Sequence, residues 1–417
     1  MIAEAVDFAR LLHRKTWPRE RIEDLRRVKL RRLIAHAYEN VPYYRRLMDQ
    51  HGVKPGEIRE PADLRRLPVS TKADLRDAGR DCLSTAMTAS TVLHTSGHSG
   101  VPFEVHMTPG EYRTRRLREF RMLIGIGVRA RDRLTLLGPI RTRPQRLHRL
   151  LGLYRMEVIP LTLPPGEQLR RFRRSRPDVV WAYPNTLEAM LHNAGCGLEE
   201  LAHPRFLINS SNVMRPLFRE RLRAGLPNMD VVNIYGSAEA GRMAAECRAH
   251  RGLHLEDDAI ILELLDNGSP QDAGKQGTVV VTCLDQLAMP LIRYEQGDVC
   301  RLLPEPCACS WRTPLLDVPL GRNSDMLTLP NGHRVSPTTL EVAIREEADL
   351  LQYRFVQERR DRVQAQFCFR CPPTPVKLAE IQRRMEVAAG GAIVVDIELV
   401  PEARFESIKF RAFISKL

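Results

Sequence analysis

The sequence lacks any apolar run of about eighteen residues, the length needed to cross a bilayer. Its first twenty residues mix charged and apolar side chains, so the uninterrupted apolar stretch of a secretory signal is missing too. Without such a signal, the nine cysteines do not predict a disulfide framework. These absences predict a cytoplasmic protein without a membrane span.

Acidic residues are in the minority, with 51 Asp and Glu against 64 Lys and Arg and a net charge of +13. A basic excess raises the question of nucleic acid, but no helix-turn-helix, zinc-finger or RNA-binding motif accompanies it. Much of the charge is Arg spread through helical segments such as RTRRLREFR at 113–121, a pattern typical of a solvated helix face. We therefore predict no nucleic-acid partner and a surface suited to anionic small molecules.

The chain of 417 residues is longer than one hydrophobic core usually serves, so we expect two folding units. Residues 1 to about 90 have helical spacing of apolar residues, interrupted at Pro42. From residue 91, amphipathic helices alternate with short apolar runs that end at Gly, Pro or Ser. These runs are TVLHTSG, RLTLLGP, MEVIPL, DVVWAYP, RFLINSS and VVNIYGS. The alternation predicts an α/β fold with mostly parallel strands flanked by helices, and ligands beyond the strands' carboxyl ends.

The pattern becomes β-rich between about 240 and 320, where Asn267-Gly268 predicts a hairpin turn. Near Gly321 the composition shifts again. We therefore predict a large domain over 1–320, a hinge at 321–326, and a small mobile α+β domain over 327–417.

Five motifs carry residues suited to nucleotide chemistry. HTSGHSGVP at 94–102 is rich in small and hydroxyl residues that let backbone amides approach a phosphate, although no Walker-type Lys follows. NIYGSAEAG at 233–241 offers a Tyr for stacking and Glu239 for Mg²⁺. IRYEQGDVC at 292–300 offers Asp298 for ribose hydroxyls. GRNSDMLTLPNGHRVSPTTLE at 321–341 and a late Lys409 complete the series.

In order and spacing these motifs resemble the successive signatures of the acyl-adenylate-forming, or AMP-binding, superfamily. Within it, the chain is similar to the phenylacetate–CoA ligase family, including its capsule-cluster relatives. The similarity covers nearly the whole length, since VPYYRRLMDQHGV and LRRLPVSTKADLRD resemble that family's opening segments.

The resemblance implies that ATP activates a carboxylic acid to acyl-AMP with release of pyrophosphate, and that the acyl group then passes to a thiol, first of all coenzyme A. It assigns Tyr235 to adenine, Glu239 to Mg²⁺, and Asp298 and Arg322 to the ribose. Lys409 would stabilise charge as the carboxylate attacks the α-phosphate. The other nucleotide-binding candidates are Thr95, Ser96, Gly97, Ser99, Gly100, Ser211, Asn212, Asn233, Gly236 and Ser237.

The acyl pocket of the resembling family falls at 138–155 and 181–185. Tyr183 and Pro184 there favour an aromatic or other hydrophobic acid. Arg141 and its neighbouring arginines would pair with an extra anionic group or with coenzyme A phosphates, or stand on a solvated helix face.

Several positions depart from the family pattern. His98, kept as a third catalytic candidate beside Glu239 and Lys409, replaces the usual Ser or Thr. Ala238 replaces a Thr, and Ile408 replaces the Gly before the catalytic Lys. These changes leave open a catalytically weak nucleotide-binding or interaction protein. An amine, a hydroxyl or a carrier-protein thiol also stays open as acceptor, and so does a homodimer.

Cysteine and histidine cluster in two segments about fifty residues apart. Cys247 and His254 lie in the first, and Cys307 and Cys309 form a C-x-C pair in the second. Thiolate and imidazole ligands in a set of four predict a closed, structural zinc site, with His250 as an alternate ligand. The other interpretation is reduced cysteines in loops.

Overall fold

The computed structural model describes most of the chain, in two compact units: Met1–Arg129 with Val232–Pro319, and Ala130–Val231 with Leu320–Leu417. The described residues are 2–94, 103–138, 155–183, 187, 190–191, 196–201, 203–210, 214, 216–322, 326–332, 334–335, 337–344, 346–347, 349–401 and 413–417. None of the helices among them is long and apolar enough to cross a membrane.

The first unit begins with helices, as the apolar spacing predicts. They are α1 (Ile2–His13), α2 (Arg19–Asn40), α3 (Pro42–Gln50), α4 (Lys72–Ala78) and α5 (Pro109–Ile126), with short 3₁₀ turns after α1, α3 and α4. Pro42 starts α3 because proline is favoured in the first helical turn and cannot continue α2. The hydroxyl of Thr108 accepts a hydrogen bond from the Glu111 amide and caps α5, which ends at Gly127 in the left-handed region.

The same unit contains three antiparallel sheet segments. A hairpin joins β1 (Thr91–His94) and β2 (Glu104–Met107). A second segment has the order β11-β10-β12-β13 and a third the order β14-β9-β8-β7. Their strands are β7 (Asp230–Ser237), β8 (Gly241–Glu246), β9 (Leu253–Leu255), β10 (Ile260–Asp266), β11 (Ser269–Pro270), β12 (Gln276–Cys283), β13 (Tyr294–Arg301) and β14 (Leu315–Leu316).

The second unit starts with a parallel sheet of order β6-β5-β3-β4. Its strands are β3 (Arg133–Leu137), β4 (Arg155–Ile159), β5 (Val179–Ala182) and β6 (Phe206–Ser210). The helices α6 (Pro165–Ser175) and α7 (Pro216–Gly225) follow β4 and β6. Phe172 of α6 and Leu222 of α7 are buried in one core with residues of β5 and β6, because these strands are apolar on both faces.

The rest of the second unit is an α+β segment. A hairpin of two short strands precedes helix α8, and helix α9 connects two strands of a mixed sheet with order β20-β19-β18-β21. The elements are β15 (Gly321–Arg322), β16 (Leu327–Thr328), β17 (Arg334–Val335), α8 (Thr338–Ala343), β18 (Leu350–Arg359), β19 (Arg362–Phe369), α9 (Pro375–Ala388), β20 (Val394–Leu399) and β21 (Phe413–Ser415).

The predicted α/β class and the strand-forming runs are confirmed. Asn267 and Gly268 both have positive φ angles and form the predicted hairpin turn between β10 and β11. The parallel arrangement is confirmed for β3 to β6 but is wrong for β1, which pairs antiparallel with β2. The domain boundary at 321–326 stays a prediction, and 323–325 lie outside the described residues.

The prediction of a solvated Arg-rich face at 113–121 is wrong for part of α5. Arg121 is 2% exposed, and its guanidinium binds the carboxylates of Glu256 and Asp258. Arg118 binds Asp285. The acidic partners of Arg118 and Arg121 are distant in sequence. The residue pattern of α5 alone therefore could not indicate that Arg121 is buried.

Candidate active site and metal centre

The NIYGSAEAG motif forms a tight hairpin between β7 and β8. A β-bulge falls between Tyr235 and Gly236, and Ser237 pairs with Gly241 across the turn. A Cβ atom at Gly236 would stand 2.3 Å from the carbonyl oxygen of Gly241, so only glycine fits. The hydroxyl of Ser237 accepts a hydrogen bond from the Ala240 amide at 2.9 Å and closes the turn. Glu239 therefore lies on a short, well-supported loop.

Tyr235 and Asp298 come from separate motifs but meet side by side. The Tyr235 hydroxyl donates to Asp298 Oδ2 at 2.7 Å, which joins the end of β7 to β13. Tyr235 is buried, whereas Asp298 is half-buried. The carboxylate thus fixes the orientation of the aromatic ring that the sequence assigns to adenine.

The carboxylate of Glu239 contacts two side chains that the sequence did not indicate as functional, those of Lys72 and Tyr294. Its Oε1 is 2.9 Å from Lys72 Nζ and accepts a hydrogen bond from the Tyr294 hydroxyl at 3.4 Å. Burial raises the pKa of Tyr294, and the neighbouring Glu239 raises it further, so the phenol stays a donor at neutral pH. An ammonium group and a carboxylate therefore face each other at this position.

Lys72 is held in place by the start of α4. The Thr71 hydroxyl accepts from the Asp74 amide, and Asp74 accepts from the Thr71 amide, which makes a capping box. The Thr-x-x-Asp pattern within LRRLPVSTKADLRD predicts this helix start, but the partner of Lys72 depends on the tertiary fold. Tyr294 had a similar weak signal, since it lies in the IRYEQGDVC motif.

Four predicted metal ligands come together in the first unit. The Sγ atoms of Cys247, Cys307 and Cys309 and one ring nitrogen of His254 all lie within 4.8 Å of one another. The sulfurs of Cys247 and Cys307 are 3.6 Å apart, and Cys309 Sγ is 3.3 Å from His254 Nε2. The alternate, His250, instead has its Nδ1 3.6 Å from Glu246.

The surroundings of the four ligands suit a bound cation. The amides of Ala249 and Trp311 donate to the sulfurs of Cys247 and Cys309 at 3.4 and 3.3 Å. His254 Nδ1 contacts the Thr313 hydroxyl at 3.1 Å, which leaves Nε2 directed at the cluster. Such outer contacts are usual for ligating thiolates and imidazoles. Burial, with the nearby Lys15, lowers the pKa of His254 to about 4, so the ring is the neutral form that a metal binds.

Comparison with known proteins adds a decisive similarity. The chain is 31% identical to a phenylacetate–coenzyme A ligase of Thermus thermophilus over 363 residues, covering 83% of this chain and 80% of the relative. It is 28% identical to the Escherichia coli phenylacetate–coenzyme A ligase over 344 residues, covering 78% of this chain and 76% of that relative. The chain belongs to the phenylacetate–CoA ligase family.

The fold agrees with that membership. A crystal structure of 2-hydroxyisobutyryl-CoA ligase in the postadenylation state superposes with a TM-score of 0.79 at 20% identity, covering 96% of this chain and 90% of that one. An anthranilate CoA ligase in complex with anthranoyl-AMP gives a TM-score of 0.57 at 15% identity, with 76% and 65% covered. No family model matches the chain. The fold is that of the adenylate-forming ligases, and the enzyme class is acid–thiol ligase.

In this member of the phenylacetate–CoA ligase family, two further candidates have described side chains. Asn233 is buried in β7, and its backbone N–H donates to Glu246 Oε2 at 2.7 Å. Tyr183 follows β5, and its ring is 3.7 Å from the position that a Cβ of Gly138 would take. The backbone of Arg322 lies in β15.

The remaining candidates lie outside the described residues. They are Thr95, Ser96, Gly97, His98, Ser99, Gly100, Arg141, Pro184, Ser211, Asn212 and Lys409. Their assigned roles stay predictions.

Proposed function

We propose that this protein activates an aromatic or other hydrophobic carboxylic acid with ATP and then transfers the acyl group to coenzyme A. The observation that carries the proposal is the meeting of two separate motifs at one place in the first unit: the Tyr235 hydroxyl donates to Asp298, and the Tyr294 hydroxyl donates to Glu239. Family membership supports the same reaction, because the related enzymes from Thermus thermophilus and Escherichia coli are named as phenylacetate–coenzyme A ligases.

Each residue has a defined part in the first step. Tyr235 stacks on adenine, and Asp298 accepts hydrogen bonds from the ribose while it orients Tyr235. Glu239 offers a hard carboxylate oxygen, the donor that Mg²⁺ prefers, and a bound Mg²⁺ would neutralise phosphate oxygens. Lys72 shares this position and would then pair with phosphate oxygens of ATP as Glu239 turns to the metal.

Lys409 is the proposed cation of the reacting centre. It would lie against the substrate carboxylate and the α-phosphate, and stabilise the charge that develops as the carboxylate oxygen attacks phosphorus. Pyrophosphate leaves, and the thiolate of coenzyme A then attacks the acyl carbon, with AMP as the leaving group. Tyr183 and Pro184 border the acyl pocket in this proposal.

We further propose that Cys247, His254, Cys307 and Cys309 hold a structural Zn²⁺ ion. Three thiolates and one imidazole complete a tetrahedral shell without an open position for substrate, which is the pattern of structural zinc. The amide donors to Cys247 and Cys309 support this assignment because they stabilise thiolate charge.

The proposed reaction is tested by pyrophosphate release from ATP across a panel of carboxylic acids, with and without coenzyme A. An active acid should release pyrophosphate and yield thioester only when coenzyme A is present. Release that yields an amide, an ester or a carrier-bound product instead would select another acceptor. If no acid of the panel supports release, the ligase proposal fails and a nucleotide-binding protein replaces it.

A further inference from the structure

The guanidinium of Arg115 lies beneath the hairpin turn that carries Glu239. It donates to three consecutive carbonyl oxygens of that turn, of Ser237 at 3.1 Å, Ala238 at 2.9 Å and Glu239 at 3.4 Å. Arg115 belongs to α5, more than a hundred residues away in sequence. One side chain thus holds the whole turn.

This contact determines which way the turn's peptide groups face. No cis peptide bond is present among the described residues. In a trans peptide the carbonyl and the following N–H point in opposite directions. Because the carbonyls of Ser237 and Ala238 point to Arg115, the amides of Ala238 and Glu239 point to the opposite side of the turn. Consecutive amides that face one side suit an anionic ligand.

The contact requires an arginine. The guanidinium is planar and presents several N–H groups in a fixed fork, so it can serve three carbonyls at once, whereas an ammonium group cannot hold the same geometry. A Cβ atom at Gly241 would be 2.9 Å from Arg115 Nε, so the glycine at the end of the turn leaves room for the guanidinium. Burial lowers the pKa of Arg115 to about 10, with Arg242 adding to the effect, and the group stays charged at neutral pH.

The helix that carries Arg115 is itself anchored beside the IRYEQGDVC motif. Glu111 Oε1 accepts hydrogen bonds from the Leu287 and Ala288 amides at 2.6 and 2.9 Å, just before β13. Its Oε2 accepts from the Thr108 amide at 2.7 Å. The first turns of α5 therefore connect the loop before Asp298 with the loop of Glu239.

We propose that Arg115 is a positioning residue that sets the metal and phosphate affinity of the 237–239 turn. It acts through backbone carbonyls and does not touch the substrate. The proposal rests on the proposed function, in which Glu239 binds Mg²⁺ on the phosphates of ATP. Removing the guanidinium of Arg115 should allow the backbone of the turn to change conformation. The carboxylate of Glu239 and the amides of Ala238 and Glu239 would then lose their common orientation.

The test compares Arg115→Met and Arg115→Lys with the wild type and with Arg113→Met, an exposed position on the same helix. Binding of Mn²⁺ with a non-hydrolysable ATP analogue is followed by electron paramagnetic resonance, which needs no turnover. Pyrophosphate release at saturating ATP and acid is then measured over a range of Mg²⁺ concentrations. A burst of acyl-AMP counts the active sites, so partial misfolding does not enter the rates.

We expect Arg115→Met to raise the half-saturating metal concentration about tenfold, as loss of supporting contacts does at other metal sites. Its rate at saturating metal should stay near the wild-type rate, with Arg115→Lys in between and Arg113→Met unchanged. Wild-type metal affinity in folded Arg115→Met would overturn the proposal, as would a lower rate at every metal concentration with unchanged affinity. If Arg115→Met does not fold, unchanged affinity in Arg115→Lys overturns it. If the wild type binds metal and nucleotide but releases no pyrophosphate, the ligase function is rejected. The role of Arg115 is then decided by the electron paramagnetic resonance measurement alone.

Discussion

The carboxylate of Glu239, the proposed Mg²⁺ ligand, has two partners among the protein's own side chains. Lys72 neutralises it at 2.9 Å, and the Tyr294 hydroxyl donates to the same oxygen. Both partners satisfy a carboxylate that is only 8% exposed and would otherwise be costly to bury. When the metal and ATP bind, the ammonium group of Lys72 would leave Glu239 and pair with a phosphate instead.

Glu239→Gln removes the charge and keeps the size of the side chain. We expect the rate of pyrophosphate release to fall by about 10²-fold, with a higher Mg²⁺ requirement, because a neutral amide is a weak Mg²⁺ ligand. Steady-state pyrophosphate assays over a Mg²⁺ series measure this. Glu358→Gln, at an exposed carboxylate that pairs with Lys416, is the matched control. A wild-type Mg²⁺ profile in Glu239→Gln would show that another residue binds the metal.

Tyr235→Phe separates the hydrogen bond to Asp298 from the stacking surface. A hydrogen bond to a charged group contributes about 1.5–3 kcal/mol, so the KM for ATP should rise roughly tenfold while the ring still stacks. Tyr235→Ala should raise KM further because the ring itself is lost. Equal ATP KM values for the wild type and Tyr235→Phe would mean that the 2.7 Å contact has no part in nucleotide binding.

Among the elements, the segment that carries Cys307 and Cys309 packs against the N-terminal residues within the first unit. Trp311 follows the ligands, and its ring packs edge-on against His254 with centroids 4.9 Å apart. Lys15 Nζ lies 3.8 Å above the same ring, and a Cβ atom at Gly125 would be 2.1 Å from it. The proposed metal ligands would therefore support the contact between this segment, the residues after α1, and α5.

Loss of the metal should accordingly lower stability more than catalysis. We expect about one zinc per chain by elemental analysis, and a Tm about 5–10 °C lower after chelation or in Cys309→Ser, since a few kcal/mol shifts the Tm of a cooperative unit the size of the first unit by that amount. Cys371→Ser, at an exposed cysteine, should retain both zinc and Tm. Zinc-free purified protein whose Tm is unaffected by Cys309→Ser would contradict the assignment.

A buried ion network joins α5 to the residues before β10. Burial alone would raise the pKa of Asp258, but Arg121 outweighs it and holds the pKa below the usual range. Burial would also raise the pKa of Glu256, but the charges of Arg121 and Lys15 lower it. Carboxylates with lowered pKa values stabilise the fold fully above the pKa of the unfolded chain, about 4, and lose that contribution as the pH falls below it.

Arg121→Met tests this network. Removing one partner of a buried ion pair typically costs about 3–5 kcal/mol at neutral pH. The deficit relative to the wild type should narrow between pH 6 and pH 3, because the wild type loses the contribution of its carboxylates there. Urea unfolding at both pH values measures the difference, with Arg116→Met on the same helix as control. A deficit that stays constant or widens toward pH 3 would show that the carboxylates contribute little.

Features of the fold and of the candidate site could be predicted from the sequence where they depend on neighbouring residues. Most features that depend on residues distant in sequence could not. Strands such as β5 and β6 could be predicted because short apolar runs that end at Gly, Pro or Ser are typical of buried strands. The clustering of Cys247, His254, Cys307 and Cys309 could be predicted because a C-x-C pair with a third Cys and a His is typical of a metal site. The roles of Lys72 and Arg115 could not, because each depends on a partner that only the tertiary fold brings near. The antiparallel pairing of β1 was missed for the same reason.

For the whole molecule, family membership and fold establish an acid–thiol ligase of the adenylate-forming class. The two half-reactions of such an enzyme need different groups at one centre, and we predict that Lys409 of the segment 327–417 serves the first of them. The altered residues His98, Ala238 and Ile408 belong to sequence motifs that the family resemblance assigns to that step. The proposed function therefore depends first on the formation of acyl-AMP.

The most direct test follows oxygen atoms. A substrate acid labelled with ¹⁸O in its carboxylate is converted with ATP and coenzyme A, and the nucleotide product is analysed by mass spectrometry. Attack of the carboxylate on the α-phosphate leaves one carboxylate oxygen on phosphorus when the thiol displaces AMP. We expect AMP carrying one ¹⁸O atom together with unlabelled pyrophosphate, whereas unlabelled AMP, or ADP and labelled phosphate, would exclude an acyl-AMP intermediate.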